Sequence, residues 1–301
     1  GNIYQYQRAF KADIIYPLSN QTINTRNSIS SFIEERLNAL KFISKEEKLS
    51  NLSDKNQLFI LFSNLRESFD GFIDLGIINE KGIQISYVGP YDLVGKKYEN
   101  QRWFNETIVK GKYCSDVFMG YRGLPHFNLA VTGQTSDNKY FVIRATINSE
   151  KLYSIITSQK LRATNDIFLI NNKGVLQTPS KYNGEILTKW ELRVPTYSKE
   201  PQVIETSINK NNYLLAYSYI DNAPFILIET TESESVMSNW RIARNNLIIF
   251  LIISIIVIVA VVFWATYRLI KHIKEYDIRM VKFLRNVSYT NKLATIGRLA
   301  A

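Results

Sequence analysis

His126 and His272 are the only histidines in this chain of 301 residues, and Cys114 is its only cysteine. Acid–base and metal chemistry therefore have little to be built from. Neither histidine stands at metal-ligand spacing from the cysteine or from clustered carboxylates. The chain has no glycine-rich loop to cradle a phosphate, and no serine, histidine and acid fall together as a catalytic group. A lone cysteine excludes an internal disulfide, and Cys114 reads as a small, half-buried apolar residue. His272 sits in a basic helical stretch ahead of the C-terminal motif described below, a poor place for a phospho-acceptor. No catalysis, cofactor or metal is expected within these residues.

Binding is better served. Arg102, Trp103, Tyr121, Arg122, His126 and Asn148 combine cationic donors with aromatic walls. A small-ligand pocket needs an apolar lining with a few orienting polar groups, and arginine offers a carboxylate a bidentate fork. Trp103 and Phe104 read equally well as core residues. Arg122, near Gly120 and Gly123 in a loop before a strand, is open to ligand contact, loop shaping or plain solvation.

The run Leu247–Ala265, LIIFLIISIIVIVAVVFWA, sets where such a pocket would lie. Its only polar residue is Ser254, and as a helix it is about 28 Å long, enough to cross a bilayer core. Arg268, Lys271, Lys274, Arg279, Lys282 and Arg285 crowd its C-terminal flank. The positive-inside rule then makes residues 268–301 cytoplasmic and residues 1–246 extracytoplasmic. Trp240, Trp264 and Tyr267 stand where interfacial aromatics gather. A chain entering the outer compartment needs a signal or an earlier span, so Gly1 is expected to follow a first membrane helix. Of the net charge of +10, residues 268–301 carry +6, from eight Lys and Arg against Glu275 and Asp277. The basic character is thus a juxtamembrane property suited to anionic lipid, and nucleic acid is not an expected partner.

Residues 1–70 read as helical. Ile29, Phe32, Ile33, Leu37 and Leu40 form one stripe, and Asp54 caps a further helix through Leu58, Leu61, Phe62 and Leu65. The texture then turns to β. FIDLGIINEKGIQISYVG (Phe72–Gly89) is a hairpin around Asn79-Glu80-Lys81-Gly82. DIFLINNKGVLQTP (Asp166–Pro179) repeats it: Asp74, Ile78, Asn79, Lys81, Gly82 and Ile83 match Asp166, Ile170, Asn171, Lys173, Gly174 and Val175, each 92 residues on. Six matches at one offset indicate an internal duplication. Two tandem α/β modules follow, at residues 71–160 and 161–237. In the first, Tyr98–Phe104 enters a short helix, and Cys114–Val131 and Lys139–Ile147 are strands. In the second, a hairpin and a three-strand meander predict a five-stranded antiparallel sheet.

These features resemble the double Cache (dCache) sensor region of a bacterial transmembrane histidine kinase. GPYDLVGKKYENQRWF and SDVFMGYRGLPHFNLAV are similar to the membrane-distal half of such sensors. TNKLATIGRLAA (Thr290–Ala301) resembles the start of a kinase dimerisation helix, whose phosphorylated histidine would follow Ala301. The resemblance implies an α+β fold: tandem PAS-like Cache modules on a long N-terminal helix, then one transmembrane helix (238–268), a cytoplasmic coiled-coil helix (269–290) and the dimerisation helix (291–301). It also implies a bacterial inner-membrane location, a homodimer, a small-molecule ligand, a response regulator as partner, and ATP for the kinase part. Cache domains that bind amino acids carry an Arg, a Tyr and an Asp where Gln101, Phe118 and Asn148 stand here, and only Trp103 matches. With no acid to meet an ammonium group, a small carboxylate is expected in preference to an α-amino acid.

The cytoplasmic stretch carries an apolar seam at Ile270, Ile273, Asp277, Met280, Leu284, Val287, Asn291 and Ala294. The spacings alternate three and four, as in a parallel coiled coil. Asp277 and Asn291 interrupt it at equivalent heptad positions, which fixes register and leaves the seam marginal enough to switch.

Overall fold

The computed structural model describes residues 11–120, 123–158, 165–208 and 211–299. The chain divides into two units, Gly1–Val236 and Met237–Ala301. A π-helical turn, Lys11–Ile15, runs into the long helix α1 (Tyr16–Glu46), with Pro17 in its first turn, where the missing N–H is harmless. Helix α2 (Leu49–Ser53) is short, and α3 (Lys55–Ser68) starts at Asp54, whose Oδ1 accepts from the N–H groups of Asn56 and Gln57 at 3.0 and 2.9 Å. The predicted stripe of α1 packs inward: Ile29, Ile33, Leu37 and Leu40 are buried, and Phe32 is partly covered by the Arg36 guanidinium at 3.5 Å.

The first sheet has strand order β2-β1-β5-β4-β3, all neighbours antiparallel: β1 (Phe72–Ile78), β2 (Gln84–Val88), β3 (Lys112–Cys114), β4 (His126–Gln134) and β5 (Tyr140–Asn148). Helices α4 (Arg102–Lys110) and α5 (Glu150–Thr157) belong to the same module. The run 114–131, expected as one strand, is split. Gly120 and Gly123 take positive φ ahead of Pro125, so pairing is regular only before Ser115 and from His126 on.

The second sheet has order β6-β9-β8-β7: β6 (Asn165–Asn171), β7 (Gln202–Ile208), β8 (Asn211–Tyr219) and β9 (Phe225–Glu232). It has four strands, not the five expected. After Gly174 the chain pairs only through single bridges, and the Thr178 hydroxyl takes the Leu169 N–H in place of a backbone carbonyl. Pro179 then has no N–H to offer.

The duplication is visible in the backbone. Asn79 and Asn171 each accept with Oδ1 from the N–H groups two and four residues ahead, and Gly82 and Gly174 adopt φ of 73° and 72°. The offset of 92 persists beyond the six matched residues, because Tyr98 N donates to Gly82 O as Trp190 N donates to Gly174 O. Both modules share α1 as a spine. Ile29, Ile33 and Leu37 join the core of the first sheet, whereas Leu18 packs on Leu214 and Ala216 of the second. Phe127 and Phe225 meet edge to face, 5.8 Å apart, where the modules adjoin.

Helix α6 (Ser233–Leu299) is unbroken. The candidate membrane span within it is Asn245–Asn286, which contains the apolar run predicted from sequence. The seam residues Ile270, Ile273, Met280 and Leu284 are exposed on this single helix. The side chains of Val287, Asn291 and Ala294 lie outside the described ones.

Candidate functional site

The first sheet's two faces differ in kind. Strand alternation sends Leu75 and Ile77 of β1, Phe127, Leu129 and Val131 of β4, and Ile143, Ala145 and Ile147 of β5 into the core shared with α1. The opposite face is divided. At one end Ile78, Ala130 and Val142 pack under Phe104 of α4. At the other it carries Asp74, Asn128, Arg144 and Thr146, and here a cleft of about 660 Å³ opens. Its walls are aromatic: Trp103 sits edge to face with Tyr98 at 5.3 Å, and Phe118 lies 4.4 Å from the ring of His126. Lys96, Lys97 and Asp92 add charge to the lining, and Arg144 and Asn128 line it from the sheet.

Arg144 is the buried cation of this cleft, its side chain only 6 % exposed. Gly76 stands opposite it on β1, and Asp74 lies beside it, Oδ1 to Nη2 3.7 Å. The Tyr87 hydroxyl donates to the other oxygen of Asp74 at 3.0 Å. A buried guanidinium needs a nearby carboxylate to offset its lost hydration, and Asp74 supplies one. His126 is fully buried, with Nδ1 2.8 Å from the Leu124 carbonyl, an acceptor, so that nitrogen carries the proton. Gly120 bends past the imidazole at φ 55°, where a Cβ would come within 2.8 Å of His126 Cε1.

Of the residues selected from sequence, Trp103, Phe118 and His126 line this cleft, as does Gln101. Tyr121 and Arg122 lie outside the described residues. Arg102 is turned away: one position from Trp103 is about 100° around a helix. Its guanidinium is bound to Glu106 in solvent, and it lines a different cleft of about 650 Å³ between the modules. There Lys110 also pairs with Glu106, and Lys112 with Glu34. Asn148 is engaged at the start of α5, its Oδ1 accepting from Glu150 N at 3.0 Å. The sequence reading missed Arg144, Asn128, Tyr98, Lys96, Lys97 and Asp92. Arg144 left a signal, a charge inside the apolar strand run FVIRATI, as did Asp74 inside FIDLGII. Asp92 also removes the premise that no acid is at hand for an ammonium group.

The second module is a built-in comparison. Its counterpart of Gly76 is Phe168, fully buried, and that of Tyr98 is Trp190; the two rings meet at 5.8 Å. Opposite Phe168 on β9 stands Ile228, where the first module has Arg144 opposite Gly76. With Ile170, Leu176, Leu215, Tyr217 and Ile226 these residues make a closed apolar cluster. Asp166, the counterpart of Asp74, is occupied by its own loop: Ser180 Oγ at 2.6 Å, Lys181 N at 3.0 Å, Tyr182 N at 3.2 Å and Asn183 Nδ2 at 3.1 Å. Of the two modules, the first keeps an open, charged cleft on this face.

Solved structures of similar architecture include ligand-binding and extracellular domains of receptors. The ligand-binding domain of the Pseudomonas aeruginosa PAO1 amino acid chemoreceptor PctB, in complex with L-Arg, superposes with a TM-score of 0.61 at 12% identity, covering 78% of this chain and 94% of that one. The extracellular domain of mmHK1S-Z2, a proposed histidine kinase, gives 0.61 at 10% identity, covering 74% and 98%. The ligand-binding domain of the Pseudomonas fluorescens chemoreceptor CtaA with L-isoleucine gives 0.58 at 11%, covering 78% and 99%. At such identities the likeness is one of fold. No protein-family model matches the sequence, and no curated protein matches it.

Proposed function

We propose that this chain is the extracytoplasmic sensor and membrane-crossing part of a bacterial two-component histidine kinase, working as a homodimer. The observation that carries the sensing part is the contrast within the chain: one module holds an open cleft walled by Trp103, Phe118 and His126, and its duplicate is filled by Phe168, Trp190 and Ile228. The ligand in this reading is a small molecule, as in the chemoreceptor domains crystallised with L-Arg and L-isoleucine. Neighbours of both classes, chemoreceptor and kinase, share the fold. The sequence TNKLATIGRLAA (Thr290–Ala301) favours the kinase, which brings ATP and a response regulator as partners of the kinase part. Ligand binding shifts a two-state equilibrium through its differential affinity, and α6 carries the shift to the seam at Asp277 and Asn291.

The test joins this chain to a histidine kinase core and reads autophosphorylation in proteoliposomes. A ligand found by thermal shift should alter the rate, and Trp103→Ala should abolish the response. Replacing Asp277 and Asn291 by Leu should lock the output. Tight binding with no change in phosphorylation would refute the signalling part.

A further inference from the structure

We infer that Arg144 is the anion anchor of the first-module cleft, and that the ligand there carries a carboxylate bound side-on by the Nε–Nη2 edge of its guanidinium. The inference rests on the sensing reading above and adds the chemical class. Arg144 lines the cleft, its side chain is 6 % exposed, and both Nε and Nη2 lack a hydrogen-bond partner. Those two nitrogens form one edge of the guanidinium, the edge whose parallel N–H bonds match the two oxygens of a carboxylate. The third nitrogen, Nη1, reaches the Tyr98 hydroxyl at 3.5 Å. Asp74 approaches Nη2 only to 3.7 Å, well beyond the roughly 2.7–2.9 Å of a charge-assisted bond. It offsets the buried charge and leaves the fork unfilled.

Buried guanidinium N–H groups are rarely left unsatisfied, so the edge calls for an acceptor. Gln84 sharpens the point: fully buried, it also leaves both amide atoms without a partner, and it lies against Gly76 opposite Arg144. The second module puts Ile228 at the position of Arg144 and is closed by apolar packing. Lys96 and Lys97 bring two further cations to the lining against Asp92, so the cleft suits an anion. Trp103 and Phe118 suit an apolar or flat body attached to it.

The test uses the full chain in nanodiscs with paired probes read by thermal shift and calorimetry: 3-phenylpropanoate, L-phenylalanine and succinate, each against its amide. At least one carboxylate should bind, with its amide weaker by at least about tenfold, the scale of a charged hydrogen bond. Arg144→Lys keeps the charge but not the fork, and should weaken that carboxylate by a similar factor. Because losing the charge of Arg144 beside the buried Asp74 could unfold the chain, the double variant Asp74→Asn with Arg144→Met serves as the second arm; it should melt near the parent and bind none of the acids. Equal binding of acid and amide, or acid binding that survives both variants but is lost in Trp103→Ala, would overturn the Arg144 assignment alone. Silence of every probe at millimolar concentration would overturn the sensing reading with it.

Discussion

Glu229 offers a test that needs no ligand. It lies on β9, buried at 0 % exposure under α1, and burial pushes its carboxyl from 4.5 up to about 7. Its hydrogen bonds explain how the neutral acid fits. Asn165 Nδ2 donates to Oε1 at 2.9 Å, while Thr22 Oγ1 lies 3.1 Å from Oε2 and 2.9 Å from the Leu18 carbonyl. A hydroxyl has one hydrogen, and given to Leu18 it leaves Thr22 Oγ1 as an acceptor for the proton on Oε2. Burial is the largest cause of the shift, with the two hydrogen bonds opposing it. Because the folded value is raised, the native state holds its proton longer than the unfolded chain as pH rises. Stability should fall from about pH 4.5 through about pH 7 and level off above. At about 1.4 kcal/mol per pH unit, the loss is about 3 kcal/mol. Glu229→Gln donates to Thr22 and accepts from Asn165 at every pH, so it should match the parent at pH 5 and exceed it by about 3 kcal/mol at pH 8. Urea unfolding of the full chain in nanodiscs, followed by tryptophan fluorescence across this range, measures both. Parallel pH curves for parent and variant would refute the argument.

Gly82→Ala and Gly174→Ala both force a side chain into positive φ, costing about 1 kcal/mol. A Cβ at Gly82 would also meet the Glu99 backbone nitrogen at 2.5 Å, whereas at Gly174 the nearest atom is a Val194 methyl at 3.2 Å; Gly82→Ala should therefore lower the melting temperature more, and equal losses would count against the backbone clash. Phe127→Ala removes a fully buried ring that meets Phe225, and should cost about 3–5 kcal/mol in urea unfolding. Cys114 is buried and its thiol pKa is pushed up by burial, so iodoacetamide should label it only on unfolding; rapid labelling of the native chain would contradict its packing.

What could be read ahead of the structure was local or periodic. Asp54 as a cap, the stripe from Ile29 to Leu40, and the glycine turn repeated at 92 residues each rest on spacing along one segment, and each appears as expected. Arg102 and Trp103 show where that reasoning stops. As a cationic donor and an aromatic wall they suit one pocket, but neighbours at a helix start point apart, and Arg102 ends in solvent on Glu106. The fifth strand of the second sheet failed for a similar reason. Nothing in its alternation announced that the Thr178 hydroxyl would take a ladder hydrogen bond.

Arg144 and Asp74 are legible in the sequence as charges inside the apolar strand runs FVIRATI and FIDLGII. A charge within an apolar strand breaks the alternation that identifies the strand, so it is easily set aside as noise. Here two such breaks fall on neighbouring strands, β1 and β5, and lie side by side on one face of the sheet. Each unsatisfied buried N–H costs about 1–3 kcal/mol, so a core residue is the more stable choice. The second module makes that choice, with Phe168 and Ile228 at the equivalent places. The first retains Gly76 and Arg144, and a Cβ at Gly76 would lie 2.9 Å from the side-chain amide of Gln84, which would have to shift to make room. Departures from local packing rules concentrate where a protein binds something. Comparing the two copies locates that departure at one strand position, which is where a ligand search should begin.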